Sequence, residues 1–234
     1  MLALMLACAV LLPWGGLTQP GGSQPIASGK LLIASRAVED PNFARTVVLL
    51  VRFDERGTMG LVLNRPTSVP LSRMLEKLPA AQKRTDPVFY GGPIGRSGVL
   101  ALVRSSELLA GAARVLEGVY LISSADGLAA VLQANVKAEN LRVFQGYAGW
   151  RPGRLEAEVA LGFWHVAPAS ANLVFHSNPA GLWEILIPGE TGTRAASAGS
   201  NRSVDAERSF NHPVRSEAVF YCSSGCGSQP RGQF

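Results

Sequence analysis

Apolar residues run together in short blocks along this chain, and Gly, Pro, Asp and Asn punctuate the blocks. Residues 46–53 (TVVLLVRF) are β-branched and apolar, which predicts a strand buried on both faces. Before it, LLIAS following Lys30 predicts another strand, and Glu39-Asp40-Pro41-Asn42 a turn with Phe43 as its apolar anchor. After it, residues 54–57 form a hairpin-length connection to an antiparallel partner over residues 58–63. That strand is expected to stop at Asn64-Arg65-Pro66, because proline cannot continue a ladder and Arg65 before it stays extended.

Leu71, Met74, Leu75 and Leu78 recur at helical spacing up to Pro79, and residues 82–86 read as a polar loop. Val88-Phe89-Tyr90 is a short strand delivering Gly91-Gly92-Pro93. Residues 99–103 and 119–122 predict two more strands on either side of a loop-like segment, and Ser124 suits the N-cap of a helix over residues 125–135. Residues 163–167 read as a strand and residues 172–175 as a weaker one. Pro179 opens a last helix, residues 180–187.

The pattern is sharpest at residues 141–162, LRVFQGYAGWRPGRLEAEVALG. Leu141, Val143 and Phe144 predict a buried strand. Gly146, Gly149, Pro152 and Gly153 predict a corner, with Tyr147 and Trp150 clamping it onto a core. A short helix over residues 155–161 follows, with Leu155 and Val159 inward and Leu161 as a third inward candidate. The first strands have no crossover helix between them. The order of elements therefore favours a mixed α/β or α+β domain around a strongly curved mixed sheet over a doubly wound fold.

Both ends depart from this pattern. Residues 1–12 (MLALMLACAVLL) have the length of a signal-peptide core and are too short for a membrane span. No Lys or Arg precedes them and no clear cleavage site follows. Export to the periplasm or membrane association is expected if the signal is real, and a cytoplasmic location if it is an extra apolar terminus. Lipidation at Cys8 is a poorer match. The segment up to residue 29 then reads as a signal-like stretch and linker, residues 30–188 as the domain, and residues 189–234 as a mostly disordered tail. Cys222, Cys226 and His212 in that tail offer three metal ligands where four are usual, or a small disulfide loop in an oxidising compartment.

Net charge is +5 and the pI about 9.4. Between residues 30 and 189 there are 17 basic and 13 acidic residues, dispersed without a basic run. Such dispersion argues against a nucleic-acid footprint. Motifs for a nucleophile elbow, a phosphate loop, a dinucleotide fold or a zinc protease are absent, the domain lacks cysteine, and no cofactor is expected. His165 beside Trp164 reads as packing rather than as a base, and Glu156 and Glu158 as first-turn carboxylates facing different ways. Gly91-Gly92-Pro93 fits an anion nest or, preferably, a tight turn. Arg65 can hold a carboxylate or phosphate, or hydrogen-bond a neighbouring loop.

Taken in order, ASRAVEDPNFARTVVLLV, GTMGLVLNRP, VFYGGPIG and RVFQGYAGWRPGRLEAEVA, followed by FWHVAPAS, resemble the motifs of the YqgE/AlgH family of bacterial proteins. The resemblance covers residues 30–188. It implies an α+β domain whose bifurcated mixed sheet curls into a pseudo-barrel flanked by helices. Members are mostly uncharacterised and usually cytoplasmic. Some are described as transcriptional regulators linked to alginate production, and no catalytic residues are established. The matched positions are Asp40, Pro41, Asn42 and Phe43; Asn64, Arg65 and Pro66; Gly91, Gly92 and Pro93; Gly146, Tyr147, Gly149 and Trp150, with Gly153 beside them.

The absence of a catalytic constellation favours a non-enzymatic binding or regulatory module, with an unidentified protein or small ligand held near Asn64, Arg65, Gly91, Gly92 and Pro93. A DNA-associated regulator is the alternative, and export would exclude it. An enzyme of unrecognised class, combining His165, Arg65 and a carboxylate, comes third.

Overall fold

The computed structural model describes residues 24–189, in which ten strands and five short helices follow one another. The strands are β1 (Lys30–Ala34), β2 (Val47–Asp54), β3 (Gly57–Val62), β4 (Pro66–Pro70), β5 (Pro87–Tyr90), β6 (Ile94–Arg104), β7 (Ala113–Leu116), β8 (Val119–Ile122), β9 (Leu141–Trp150) and β10 (Trp164–Pro168). The helices are α1 (Leu71–Met74), α2 (Ala125–Gln133), α3 (Arg154–Ala160), α4 (Ala171–Val174) and α5 (Leu182–Leu186). The class is α+β. The sheet runs β10-β1-β2-β3-β9-β6-β8-β7 and curls into a pseudo-barrel. Gly29, just before β1, lies against Val115 and Leu116 of β7. Among the described residues, no helix is long and apolar enough to cross a membrane.

The sheet is forked, and the fork is at the middle of β9. One edge of β9 pairs with β6, Val99–Val103 opposite Gln145–Leu141. The other edge is shared. Its first half takes β5 in parallel, Val88–Tyr90 beside Val143–Gln145, and its second half takes β3 antiparallel, Thr58–Gly60 opposite Trp150–Ala148. The chain leaving β5 is wedged into the split. The Gly91 N–H donates to Gln145 O at 2.9 Å, and Gly91 O accepts from the Val62 N–H at 3.0 Å. There is no room for a side chain here: a Cβ on Gly91 would lie 2.2 Å from Gly146 O, and one on Gly146 2.4 Å from Gly92 O. Gly146 also holds φ +73°, a conformation glycine adopts without a steric penalty.

Burial alternates along β1: Leu31 and Ile33 belong to one apolar cluster, Leu32 and Ala34 to another. The first cluster also takes Leu49, Leu61 and Phe144 and is covered by Val174 of α4 and Trp183 of α5. The second takes Val48, Leu50 and Val62 and is covered by Leu155 of α3 and by Trp150 and Trp164. Strands β1 to β3 are thus buried on both faces, as the unbroken apolar run of β2 predicts for residues 47–51, while Arg52 to Asp54 project into solvent. On the other branch of the fork, Val88, Val103, Ile122 and Val143 pack under Leu128, Val131 and Leu132 of α2. The Ser124 side chain caps α2 by accepting from the Gly127 N–H.

Several expectations are corrected. Strand β3 does end before Asn64-Arg65-Pro66, at Val62, but a further strand that the sequence does not announce, β4, begins at Pro66. It pairs with β5 on the sheet margin, where a missing N–H does no harm. Residues 105–117 contain β7, and in place of a strand over residues 172–175 the chain forms α4, which ends at Val174. Gly146 and Gly149 do not form a corner: β9 runs straight through both, and only Arg151-Pro152-Gly153 turns. Leu161 is 71% exposed and faces away from the core. The segment read as linker joins the domain before Lys30, since Ile26 packs against the second cluster and the Ser28 hydroxyl donates to Val51 O. The apolar stretch at residues 1–12, Cys8, and the tail with His212, Cys222 and Cys226 lie outside the described residues.

Candidate functional site

The connection from β1 to β2 is built like a clasp. Asp40 starts it as an Asx turn, its carboxylate accepting from the Asn42 N–H at 2.8 Å while its carbonyl accepts from Phe43 and Ala44. The turn ends at Arg45, a non-glycine residue at φ 57°. Left-handed backbone costs such a residue about 1–2 kcal/mol, so something must hold it. Asn64 does so. Its side-chain amide donates to Arg45 O and its carbonyl oxygen accepts from the Val47 N–H, each at 2.9 Å, gripping both sides of the kink. Asn64 is 8% exposed, among the few buried polar residues of the described chain.

Arg65 grips the same loop from the neighbouring position. Its Nη2 donates to Pro41 O at 2.8 Å and to Ala44 O at 3.1 Å. Burial lowers its pKa from the ordinary arginine value, partly offset by Tyr90 and Asp40. The guanidinium lies 5.8 Å from the Tyr90 ring centroid, and Arg96 lies 5.9 Å from the same ring. The Tyr90 hydroxyl donates to Asn42 Oδ1 at 3.0 Å. Burial raises the Tyr90 pKa, against the pull of the two arginines and with the push of Asp40. A half-buried phenol with two guanidinium groups near its ring, anchored to a braced loop, is thus an organised polar surface near the fork.

Below the clasp, Phe43 contacts the rings of Trp150 and Trp164 at 6.0 and 5.8 Å, and the two indoles meet edge to face at 6.0 Å. Both indole N–H groups donate to Glu158 Oε2 at 2.9 Å, while Arg154 binds Oε1 at 2.7 Å. Glu158 is therefore a structural hub rather than only a carboxylate in a helix dipole. The available signal was the two tryptophans: a buried indole N–H needs an acceptor, and Glu158 is an acid lying between them in the chain.

The fold thus brings Asp40, Pro41, Asn42 and Phe43 together with Asn64, Arg65 and Trp150. Gly91 and Gly92 meet Gly146 and Tyr147 at the fork. Gly91 has both backbone groups occupied by neighbouring strands, so close crossing rather than a tight turn explains its residue type. Tyr147 lies over glycines, its ring beside Gly95 and Gly149, instead of clamping a corner. Pro66 opens β4, Pro93 lies half-buried between β5 and β6, and Gly153 stands exposed before α3 at φ +78°. His165 sits half-buried in β10 opposite Ile33, and among the described residues no hydrogen bond or ion pair joins it to Arg65. His176 is occupied locally, its Nδ1 accepting from the Asn178 N–H. Among the described residues, no group of three His, Cys, Asp or Glu side chains converges as a metal site. An open pocket of about 290 Å³ beside the fork is lined by Met59, Gly95, Ser97, Gly146 and Tyr147.

Comparison with known proteins places these features in a wider set. A family described as AlgH-like matches residues 31–190. A UPF0301 protein of Streptomyces avermitilis is 39% identical over 163 residues, covering 68% of this chain and 84% of that protein. A UPF0301 protein of Chlorobaculum tepidum is 35% identical over 156 residues, covering 66% and 82%. The solution structure of the AlgH protein from Pseudomonas aeruginosa superposes with a TM-score of 0.55 at 32% identity, covering 67% of this chain and 85% of that one. A crystal structure of a Corynebacterium diphtheriae protein superposes at 0.60 and 24% identity, covering 70% and 86%, and speaks for the fold alone.

Proposed function

This chain belongs to the AlgH-like family, and from that premise we propose that it is a non-enzymatic binding or regulatory module. Its recognition face is the Arg65–Tyr90–Arg96 surface; of the Gly91-Gly92-Pro93 stretch that follows Tyr90 only Pro93 is partly exposed, Gly91 and Gly92 being buried at the fork. One observation supports this reading above the others. Two guanidinium groups lie within 6 Å of the centre of the Tyr90 ring, and its hydroxyl is fixed by Asn42 on a loop that Arg65 also holds. Aromatic and arginine side chains so combined are what protein recognition surfaces concentrate. A rigid backbone beneath them lowers the ordering cost of binding.

Photo-crosslinking in the native host tests this. A photoreactive amino acid at exposed Ser97, beside Arg96, should give a discrete adduct, and one at Arg56 on the β2–β3 turn should not. Arg65→Ala, checked for folding by circular dichroism, should abolish the adduct. An adduct that survives Arg65→Ala in the folded protein removes the site, and no adduct above the Arg56 control removes the reading. Where the encounter takes place is a separate expectation. Export is tested by fractionating native cells and reading the mature N-terminus by mass spectrometry.

A further inference from the structure

We propose that the open pocket at the ends of β6 and β7 binds the oxyanion group of a small molecule, a phosphate or a carboxylate, through Arg104 and Arg114. The pocket measures about 540 Å³ and is lined by Arg104, Ser105, Ser106, Arg114, Glu117 and Tyr120, with Gly118 and Ala171 completing it. It is built from different residues than the Arg65–Tyr90–Arg96 surface and does not depend on that reading.

Two arginines on adjacent strands create the charge. Arg142 of β9 is fixed over the Phe89 ring, donating to Val174 O at 2.8 Å and to His176 O at 2.5 Å. Arg104 of β6 is fixed over the Phe175 ring and donates through Nη2 to Ala171 O at 2.8 Å. All these acceptors are neutral carbonyls. Among the described residues, neither guanidinium has a carboxylate partner. Burial lowers the Arg142 pKa to about 10, and the charge of Arg104 adds to that lowering. Two neighbouring cations with no counter-ion are unfavourable on their own and attract an anion.

Arg104 is under-satisfied by the protein: Nη2 is its engaged nitrogen, and Nε is buried without an acceptor. Arg114 reaches the same pocket from β7, where the register sets it beside Tyr120. Glu117 is the opposing charge. With it counted, the lining carries two cations and one anion, and Arg142 behind Arg104 adds a third cation. The Ser105 hydroxyl is already used within its own turn, donating to Glu107 O and accepting from the Glu107 N–H. The specificity therefore rests on the guanidinium groups, which suit flat or tetrahedral oxyanions in bidentate contact.

The test is a titration of the full chain with inorganic phosphate, and separately with citrate, at constant ionic strength, following the backbone amides of Ser105, Ser106 and Gly118 by NMR. Saturable shifts are expected with at least one of the two anions, and whichever saturates identifies the ligand chemistry. Arg114→Ala, on an exposed strand position, should weaken binding about tenfold, the size of one charge-assisted hydrogen bond. Glu117→Gln should tighten it by about threefold, the scale of one exposed charge interaction. Arg56→Ala, which removes the same net charge elsewhere, should leave it unchanged. A response to both anions that is linear and no greater than that to chloride overturns the proposal. So does saturation that Arg114→Ala leaves intact, or that Arg56→Ala weakens equally.

Discussion

The fork and the clasp solve the same problem by opposite means. Each must hold two stretches of backbone in a close, irregular crossing. At the fork, Gly91 and Gly92 approach Gly146 and Tyr147 because the glycines carry no side chain at all. At the clasp, the chain from Asp40 to Arg45 is held by what its neighbours carry: the amide of Asn64, the guanidinium of Arg65, the hydroxyl of Tyr90 and the indoles of Trp150 and Trp164 against Phe43. The first crossing is specified by absence and tolerates no addition. The second is specified by presence and fails by subtraction. Only the second leaves chemistry at the surface, which is why the recognition face is assigned there.

The largest effect should come from adding one methyl group at the fork. Gly91→Ala places a Cβ against backbone on a central strand, so the neighbouring strands must part. A destabilisation of more than about 4 kcal/mol is expected in chemical unfolding, or no folded protein at all. Subtraction at the clasp comes next. Asn64→Ala leaves the Val47 N–H and Arg45 O without partners, and should cost about 2–6 kcal/mol by the same measurement, at roughly 1–3 kcal/mol for each unpaired group.

Gly153→Ala sharpens the comparison from the other side. Gly153 shares a positive φ with Gly146, but nothing lies within 4 Å of the Cβ it would gain. Conformational strain without collision should cost only about 1–2 kcal/mol. If Gly153→Ala and Gly91→Ala proved equally damaging, crowding would not be what distinguishes the fork.

The smallest effect is electrostatic. By NMR of labelled tyrosine, Tyr90 should titrate above the ordinary value of about 10. Arg96→Ala removes a cation that favours the phenolate, so the midpoint should rise further, whereas Asp40→Asn should lower it. Because the folded state keeps this proton after the unfolded chain has lost it, the linked stability is complete below pH ~10 and is lost as pH rises through the folded-state value. A midpoint unmoved by Arg96→Ala would separate that arginine from the recognition surface.

Much of the architecture is legible in the residue pattern. The β2–β3 hairpin, the cap at Ser124 and the buried strand opening at Leu141 follow from local composition. Less legible are elements whose reason for existing lies elsewhere in the chain. Strand β4 begins and ends with proline and forms because β5 offers it a margin to pair with. Strand β9 passes through Gly146 and Gly149 because other residues cover them: Gly91 and Gly92 crowd the first, and Ile94 and Tyr147 cover the second. The site was half visible. Asn64 and Arg65 stand out beside Pro66, but their targets are carbonyls and an amide of the preceding loop, which carry no residue-type signal. The place of Glu158 in a helix start points only to the helix dipole, while its role comes from two indoles in flanking strands.

Strand β1 pairs with β10 along its whole length, Lys30 opposite Pro168 and Ala34 opposite Trp164, and Ala34 O accepts from the Trp183 indole. During synthesis this strand emerges early, yet one of its edges stays unpaired until most of the domain has been made. At ordinary elongation rates the wait is on the order of ten seconds. A ribosome pausing within that interval would present an apolar strand, LLIA, with an open edge to the cell. Completion of the fold is therefore gated by the last strand to leave the ribosome, and the nascent chain is most exposed to aggregation and to chaperones just before that strand arrives.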